Sequence, residues 1–340
     1  MGIKKQSVTI MDVARVAGVS SKTVSRVLNN EPHVKSALRE RVMHAVTSLN
    51  YHPNVNAQGL VRRRTYLIGL VYENPSPSYV VELQRGAIER LTGERYRLIV
   101  LPTSSVEENA EQIVPLLRAA AVDGVVLPPP ACDSRIVLER LAAIHMPFTR
   151  VAPVLFPQIG PRVGMDDASA AREIADYVIG LGHRDIAIIK GDPTHRSTSE
   201  RMRGYAAALS AADVRVRLDW IEDGLFTFAS GQEAARRLLD RPDRPTAILA
   251  MNDDMAVGVT MMAREMGIEV PTELSVTGFD DSEISRITWP RITTVHQPVF
   301  EMTRDATDLL LAIMDGRPHP EELHHEHKLL IRQSTAPPPR

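Results

Sequence analysis

Near the amino terminus, apolar residues recur at helical spacing in three short runs. Ile10, Val13, Ala14 and Ala17 share one face of the first. Thr9 precedes it as an N-cap, and Asp12 stands three residues later in capping-box register. Gly18 supplies the permissive backbone position that ends the run. Ser20 then caps a second helix reaching about Leu28, with Val24, Val27 and Leu28 inward and Ser21, Lys22, Ser25 and Arg26 outward. A third run covers about 35–49, with Leu38, Val42, Ala45, Val46 and Leu49 on one face. Two short helices joined by a tight Gly-containing turn read as a helix-turn-helix. Its second helix can lie in the DNA major groove with its first side chains on base edges. A plain surface hairpin of an ordinary domain is the alternative for this stretch alone.

After the turn-rich exit around Asn50–Asn54 comes a short helical pattern over 55–64, with Ala57, Leu60 and Val61 apolar, Gly59 weakening it and Arg62, Arg63 and Arg64 closing it. It is too short to hold a helix alone in water and reads as a linker that folds on contact. From Tyr66 the texture changes. Leu67-Ile68-Gly69-Leu70-Val71 is a continuous apolar run of the kind found in parallel strands buried on both faces. Further strand patterns fall at 97–101, 124–127, 148–151, 186–189, 246–250 and 274–277, with helical patterns at 81–91, 107–119, 134–144, 168–181, 199–211, 230–239 and 253–266. This alternation predicts an α/β chain of doubly wound layers, in two sheets because the units are too many for one.

In open parallel sheets ligands sit beyond the carboxyl ends of strands. Polar residues cluster there: Asp166 and Asp167, His195 and Arg201, Asn252 to Asp254, and Asp280 with Asp281. Asp253, Asp254 and Asp281 read as helix caps. Asn252, Asp280 and Arg201 read as members of a shared cleft.

Composition adds limits. The chain has 340 residues, enough for two or three domains, and only 4% aromatics. Its single cysteine, Cys132, rules out an internal disulfide. No apolar run reaches membrane-span length, and the first residues lack the apolar segment of a signal peptide, so a cytoplasmic location is expected. Net charge is -2, but residues 1–65 hold eleven Lys/Arg against three acids, leaving a basic head on an acidic body. That asymmetry suits a head that meets a polyanion. No Walker loop or nucleophile elbow occurs, and His319, His324, His325 and His327 match no compact zinc spacing. We therefore expect no enzyme, metal or cofactor. The final Ser-Thr-Ala-Pro-Pro-Pro-Arg reads as a frayed end.

These residues resemble the lactose-repressor (LacI/GalR) family of transcriptional regulators. The likeness runs in order through 8–20 (Val-Thr-Ile-Met-Asp-Val-Ala-Arg-Val-Ala-Gly-Val-Ser), 23–29, 49–54, 64–71, 123–127, 181–187, 201–205, 250–256, 276–281 and 292–298, nearly the whole chain. The resemblance implies a headpiece at 1–52, a hinge at 53–65 and an effector-binding core at 66–340. That core would have two lobes of periplasmic-binding-protein type, about 66–166 with 296–327 and 167–295 with 328–340, crossed near Asp166, Val295 and Lys328.

It also implies a homodimer on a pseudo-palindromic operator in double-stranded DNA. Ser21, Lys22 and Arg26 match base-reading positions, and Arg26 can bridge guanine O6 and N7. Thr9, Ser20, Thr23, Ser25 and Asn29 match positions near phosphates. Asn54, Ala57 and Leu60 fall in the DNA-facing hinge, Leu60 as the minor-groove wedge.

In the cleft, Tyr79, His195, Arg201, Phe226, Asn252 and Asp280 match effector-contact positions, suited to a sugar or polyol. Ala152 stands where some members carry a cleft-floor aspartate, and Arg150 is the nearest charge. Arg150 leaves room for a sugar acid or sugar phosphate, and a nucleobase is a further alternative. The expected function is a repressor of carbohydrate-utilisation genes switched by a small effector. A sugar-transport protein or an enzyme are the rival readings.

Overall fold

In a computed structural model of the chain, residues 8–28, 32, 34–51, 64–73 and 76–339 are described. The chain divides into two compact units, Met1–Thr65 and Tyr66–Arg340. Asn29, Asn54, Ala57, Leu60, Arg62 and Arg63 lie outside the described residues.

The first unit contains helices α1 (Ile10–Ala17), α2 (Ser21–Leu28) and α3 (Ser36–Ser48). The Thr9 side chain accepts from the Asp12 amide while the Asp12 carboxylate accepts from the Thr9 amide at 3.0 Å, a reciprocal capping box. Gly18 takes φ +61°, and its N–H closes the helix onto the Ala14 and Arg15 carbonyls. The Ser20 hydroxyl accepts from the Thr23 amide at 3.2 Å and starts α2. Val13, Ala17, Val24, Val27, Val42, Ala45 and Tyr51 form a small core where the three helices meet.

The second unit begins with β1 (Leu67–Tyr72), α4 (Pro77–Leu91), β2 (Arg97–Pro102), α5 (Val106–Ala119), β3 (Gly124–Leu127), α6 (Arg135–Ala143), β4 (Phe148–Val151) and β5 (Arg162–Gly164). It continues with α7 (Asp167–Gly180), β6 (Ile186–Ile189), α8 (Arg196–Ala211), β7 (Ile221–Glu222), α9 (Phe228–Leu239), β8 (Ala247–Ala250), α10 (Asp253–Glu265) and β9 (Ser275–Thr277). Then follow α11 (Glu283–Ile287), β10 (Thr294–His296), α12 (Val299–Met314), β11 (Glu322–His324) and β12 (Lys328–Leu330).

One parallel sheet has the order β11-β5-β4-β3-β1-β2, and a second has β7-β6-β8-β9. Each is the floor of a lobe. The strands β10 and β12 pair antiparallel, with Val295 opposite Leu329, where the chain passes between the lobes. In the first lobe α4 and α12 cover one sheet face over Leu70, Val126 and Val151, and α5 with α6 covers the other over Val71, Val125 and Leu127. The second-lobe core gathers Ile174, Ile188, Tyr205, Leu238, Leu249 and Val259. Each aliphatic side chain fully buried in this way stabilises by roughly 1.5–3 kcal/mol.

Several elements differ from the sequence reading. The helix α4 starts at Pro77, four residues early, because proline is favoured in a first helical turn. The helix α12 has no counterpart in the sequence reading. Its Val299, Met302, Ala306, Leu309, Leu310, Leu311 and Ala312 are buried around much of its circumference, which blurs an amphipathic stripe. The carboxyl end is not frayed through Ala336. Ser334 is fully buried, the Val276 amide donates to its carbonyl at 2.8 Å, and the Ala336 amide donates to Ser275 Oγ at 3.0 Å. His325 and His327, in the charged tract before β12, contact Asp305 at 3.1 Å and Glu173 at 2.8 Å. Among the described residues no helix is long and apolar enough to cross a membrane.

Candidate functional site

The carboxyl ends of both sheets face one cavity in the second unit. Ser76 follows β1, Pro129 follows β3 and Ala152 follows β4, while Tyr79 comes from the first turn of α4. From the other lobe come His195, Ser197 and Arg201 after β6, Phe226 after β7, Asn252 after β8 and Asp280 after β9. Gln297 follows β10 and completes the wall. The space between these atoms, counting the part open to solvent, is about 390 Å³. This is the strand-end placement that parallel sheets give their ligands.

Arg201 is the organising charge. Its side chain is 4% exposed, and its guanidinium lies over the Phe279 ring with 3.6 Å to the centroid. Nε donates to Asp167 Oδ1 at 2.8 Å, Nη1 to the Met251 carbonyl at 2.5 Å and Nη2 to Gln297 Oε1 at 3.0 Å. Asp280 Oδ1 stands 3.7 Å from Nη1. Burial opposes the arginine charge, but Asp167 and Asp280 outweigh it and hold the group firmly protonated. Burial drives the Asp280 carboxyl well above the ordinary carboxylate range, against the pull of Arg201.

His195 is 3% exposed and its ring stands edge-on to Phe226, centroids 5.5 Å apart. Its Nε2 has no hydrogen-bond partner among the described residues. Burial lowers its pKa to about 4, so the imidazole is neutral at pH 7. Tyr79 is buried, which pushes its phenol up and keeps it a neutral hydroxyl. Phe226 reaches the cavity because Gly191 leaves it room: a Cβ there would lie 1.9 Å from the ring.

Asn252 has two duties. Its Oδ1 accepts from the Met255 amide at 3.0 Å and caps α10, and its Nδ2 donates to the Phe226 carbonyl at 2.9 Å. The adjoining aspartates are not the caps the sequence suggests. Asp253 accepts from Thr294 Oγ1 at 2.7 Å and the Ser282 amide at 2.7 Å, and Asp254 accepts from Ser76 Oγ at 2.6 Å. Asp281 binds His296, Arg286 and Arg332. Ala152, Phe226 and Asp280 take φ of +49°, +58° and +111°. Three of the non-glycine residues held in left-handed conformations thus line the cavity.

Arg150 does not line this cavity, against the sequence reading. Strand side chains alternate, and Thr149 Oγ1 bonds the Ala306 carbonyl on α12 at 2.9 Å, so Arg150 points to the opposite sheet face. It is fully buried there among main-chain carbonyls and Asp133. Sequence reasoning named Tyr79, His195, Arg201, Phe226, Asn252 and Asp280, all of which the structure brings together. It did not name Ser76, Pro129, Ser197 or Gln297 as site residues. Ser76, Pro129 and Gln297 carry the strand-end signal that marked the others.

In the first unit, Ser20, Lys22 and Arg26 are exposed and Ser21, Thr23 and Ser25 are half-buried around α2. Lys22 and Arg26 are four residues apart and so share one helix face. Thr9 and Ser20 spend their hydroxyls on capping, and Thr23 Oγ1 lies 2.9 Å from Ser20 Oγ.

Residues 9–54 match the family model for bacterial regulatory proteins of the lacI family, and residues 175–335 match that for a periplasmic binding protein-like domain. The chain is 32% identical over 333 residues to catabolite control protein A of Priestia megaterium, covering 97% of this chain and 99% of that protein. It belongs to the LacI family of bacterial regulatory proteins. The same similarity extends to the HTH-type transcriptional repressor PurR of Vibrio cholerae, at 30% identity over 96% of this chain and 97% of the relative. Among solved structures, a Lac repressor dimer bound to operator and an anti-inducer aligns over 97% of this chain and all of its own, with TM-score 0.86 and 28% identity. A CelR–cellobiose complex aligns over 96% of this chain and 99% of its own, with TM-score 0.72 and 30% identity. This LacI-family chain is thus a transcriptional regulator with a DNA-binding headpiece and a periplasmic-binding-protein-like core.

Proposed function

We propose that this LacI-family regulator is a repressor that binds a pseudo-palindromic operator as a homodimer and is switched by a neutral, hydroxyl-rich effector in the interlobe cavity. The effector class rests on one observation: every nitrogen of Arg201 is already engaged by protein acceptors, with Asp167 and Asp280 beside it. With Arg150 turned into the interior, no lining residue among those described offers an uncommitted cation to a carboxylate or phosphate. The Nε2 of neutral His195, the Asp280 carboxyl and the Tyr79 hydroxyl suit hydroxyl partners, and Phe226 suits an apolar ring face. This reading favours a sugar over a sugar acid or sugar phosphate.

On DNA, two copies of Ser21, Lys22 and Arg26 would read half-sites, with Thr9, Ser20, Thr23, Ser25 and Asn29 near phosphates. Asn54, Ala57 and Leu60 would complete the contact through the hinge, Leu60 as wedge. Effector and operator are then linked, so each changes the other's affinity by the same factor. The protein would act in the cytoplasm and leave its effector chemically unchanged.

Thermal shift of the full chain against D-ribose, D-glucose, cellobiose, D-galacturonate and glucose 6-phosphate tests the effector class, since a ligand of the native state raises its melting point. Stabilisation by a neutral sugar supports the reading. Stabilisation only by the two anions overturns it.

A further inference from the structure

We propose that Arg150 is a positioning residue that builds the first-lobe wall of the cavity without touching the ligand. Beside Ser76 and Tyr79, two loops supply this wall. The loop after β3 contributes Pro129, and the loop after β4 contributes Ala152. Arg150 sits beneath both and ties them together. Its Nε donates to the Cys132 carbonyl at 2.8 Å in the first loop. Its Nη1 donates to the Phe156 and Ile159 carbonyls at 2.7 and 3.1 Å in the second, and Nη2 reaches the Leu155 carbonyl there.

Asp133 closes the tie from the other side. It stands 3.3 Å from Arg150 Nη2 and accepts from the Val154 and Leu155 amides at 3.0 and 2.8 Å. The first loop thus grips the second through a carboxylate, and the buried guanidinium grips both. A planar fork of five N–H groups meets carbonyls in several directions, which a lysine ammonium does not reproduce.

The backbone gives an independent reason for the tie. Ala152 and Phe156 hold φ of +49° and +54° without being glycine. Such conformations persist where the surroundings over-determine them. Around Ala152 those surroundings are the hydrogen bond its amide donates to the Val163 carbonyl at 2.7 Å and the Arg150 hydrogen bonds that fix residues 155–159. Releasing Arg150 frees the second loop to relax and moves Ala152 relative to His195 and Phe226 on the other lobe. For its effect on ligand choice the inference rests on the cavity being the effector site. For loop order it stands alone.

Hydrogen exchange on the full-length chain tests it with the wild type, Arg150→Lys and Asp133→Asn. In both variants, amides within 128–134 and 152–160 should exchange about tenfold faster or more, while those of β6 and β8 keep wild-type protection. Any neutral sugar among D-ribose, D-glucose and cellobiose that stabilises the wild type should bind the variants at least about tenfold more weakly. Unchanged exchange in the two loops would overturn the proposal, as would a uniform rise that includes β1 and β3, the mark of a purely structural role. If Arg150→Lys does not fold, Asp133→Asn decides, because it keeps the side-chain shape and weakens only the tie. A panel in which no sugar stabilises the wild type counts against the effector reading, and the exchange result still decides the role of Arg150.

Discussion

The Ser76 hydroxyl donates to the Asp254 carboxylate at 2.6 Å, joining the loop after β1 in one lobe to the first turn of α10 in the other. Ser76 is 2% exposed and lines the cavity, so the bond is made at the site itself. Burial raises the Asp254 carboxyl and the Ser76 bond works against that rise, so the hydroxyl is what supports an ionised Asp254. An effector or a conformational change that parts the lobes must break this bond. Ser76→Ala should therefore destabilise the core by about 1–2 kcal/mol, the cost of leaving a half-buried carboxylate short of a donor. Urea unfolding with an unchanged midpoint would show that the contact is not formed in solution.

Arg201 has a larger role in stability. Its loss leaves Asp167, which its Nε holds at 2.8 Å, buried without its cation, and removes the charge beside Asp280. Breaking a buried pair from one side typically costs 3–5 kcal/mol, because the remaining charge stays desolvated. Arg201→Ala should lower core stability by about that amount. Arg201→Lys should cost less, since a point charge is kept while the fork and the stacking on Phe279 are lost. Equal urea stabilities for the alanine variant and the wild type would refute the electrostatic role.

Two buried groups should oppose each other between pH 4 and 6.5. Burial raises Asp253 from 3.8 to about 6, against the bonds from Thr294 and Ser282. The folded state then binds the extra proton, so the contribution of Asp253 is full below pH 3.8 and is lost as pH rises through about 6. Burial lowers His195 from 6.5 to about 4. Here the folded state gives up the proton, so its contribution is full above pH 6.5 and is lost as pH falls toward 4. Each effect is on the order of 3 kcal/mol at 1.36 kcal/mol per pH unit. Relative to the wild type, Asp253→Asn should make stability climb more steeply across this window, and His195→Gln should flatten or reverse the climb. Urea unfolding at pH 4, 5, 6 and 7 measures both differences. Parallel curves for all three proteins would remove these two groups from the linkage.

How far the sequence carries depends on whether a residue's role is local. Thr9, Asp12, Gly18 and Ser20 act within a few positions of themselves, and the headpiece helices they bound are legible from spacing alone. Strand-end placement likewise marks Arg201, Asn252 and Asp280. Arg150 shows the limit. It stands in a strand whose four residues are all buried, and nothing in Phe-Thr-Arg-Val tells which face receives the guanidinium or which carbonyls meet it. Asp253 and Asp254 look like caps because aspartate before a helix commonly caps. Their partners Thr294 and Ser76 are 41 and 178 residues away in sequence. The helix α12 was hidden for a related reason, since a helix enclosed by a sheet and a second helix has little polar face to reveal its period.

The headpiece carries a prediction of a different kind, about recognition and not stability. Arg26 is exposed on the helix α2, one turn beyond Lys22, and its removal takes nothing from the core of Val13, Val24, Val27 and Val42. Arg26→Ala should leave the headpiece folded, since its apolar core is intact. It should weaken binding to the preferred operator by about 1–3 kcal/mol, the worth of a bidentate contact to guanine. Arg26→Lys should recover non-specific binding but not discrimination at that base pair, because phosphate attraction needs only charge whereas the bidentate contact needs the fork. The operator can be obtained by selection from random duplexes with the wild type, and affinities compared at several salt concentrations. A steep loss of affinity with salt is expected for all three proteins, since phosphate contacts dominate. If Arg26→Ala selects the same consensus with the same affinity, the base-reading assignment of Arg26 fails, and Ser21 and Lys22 are left to carry the specificity of the helix.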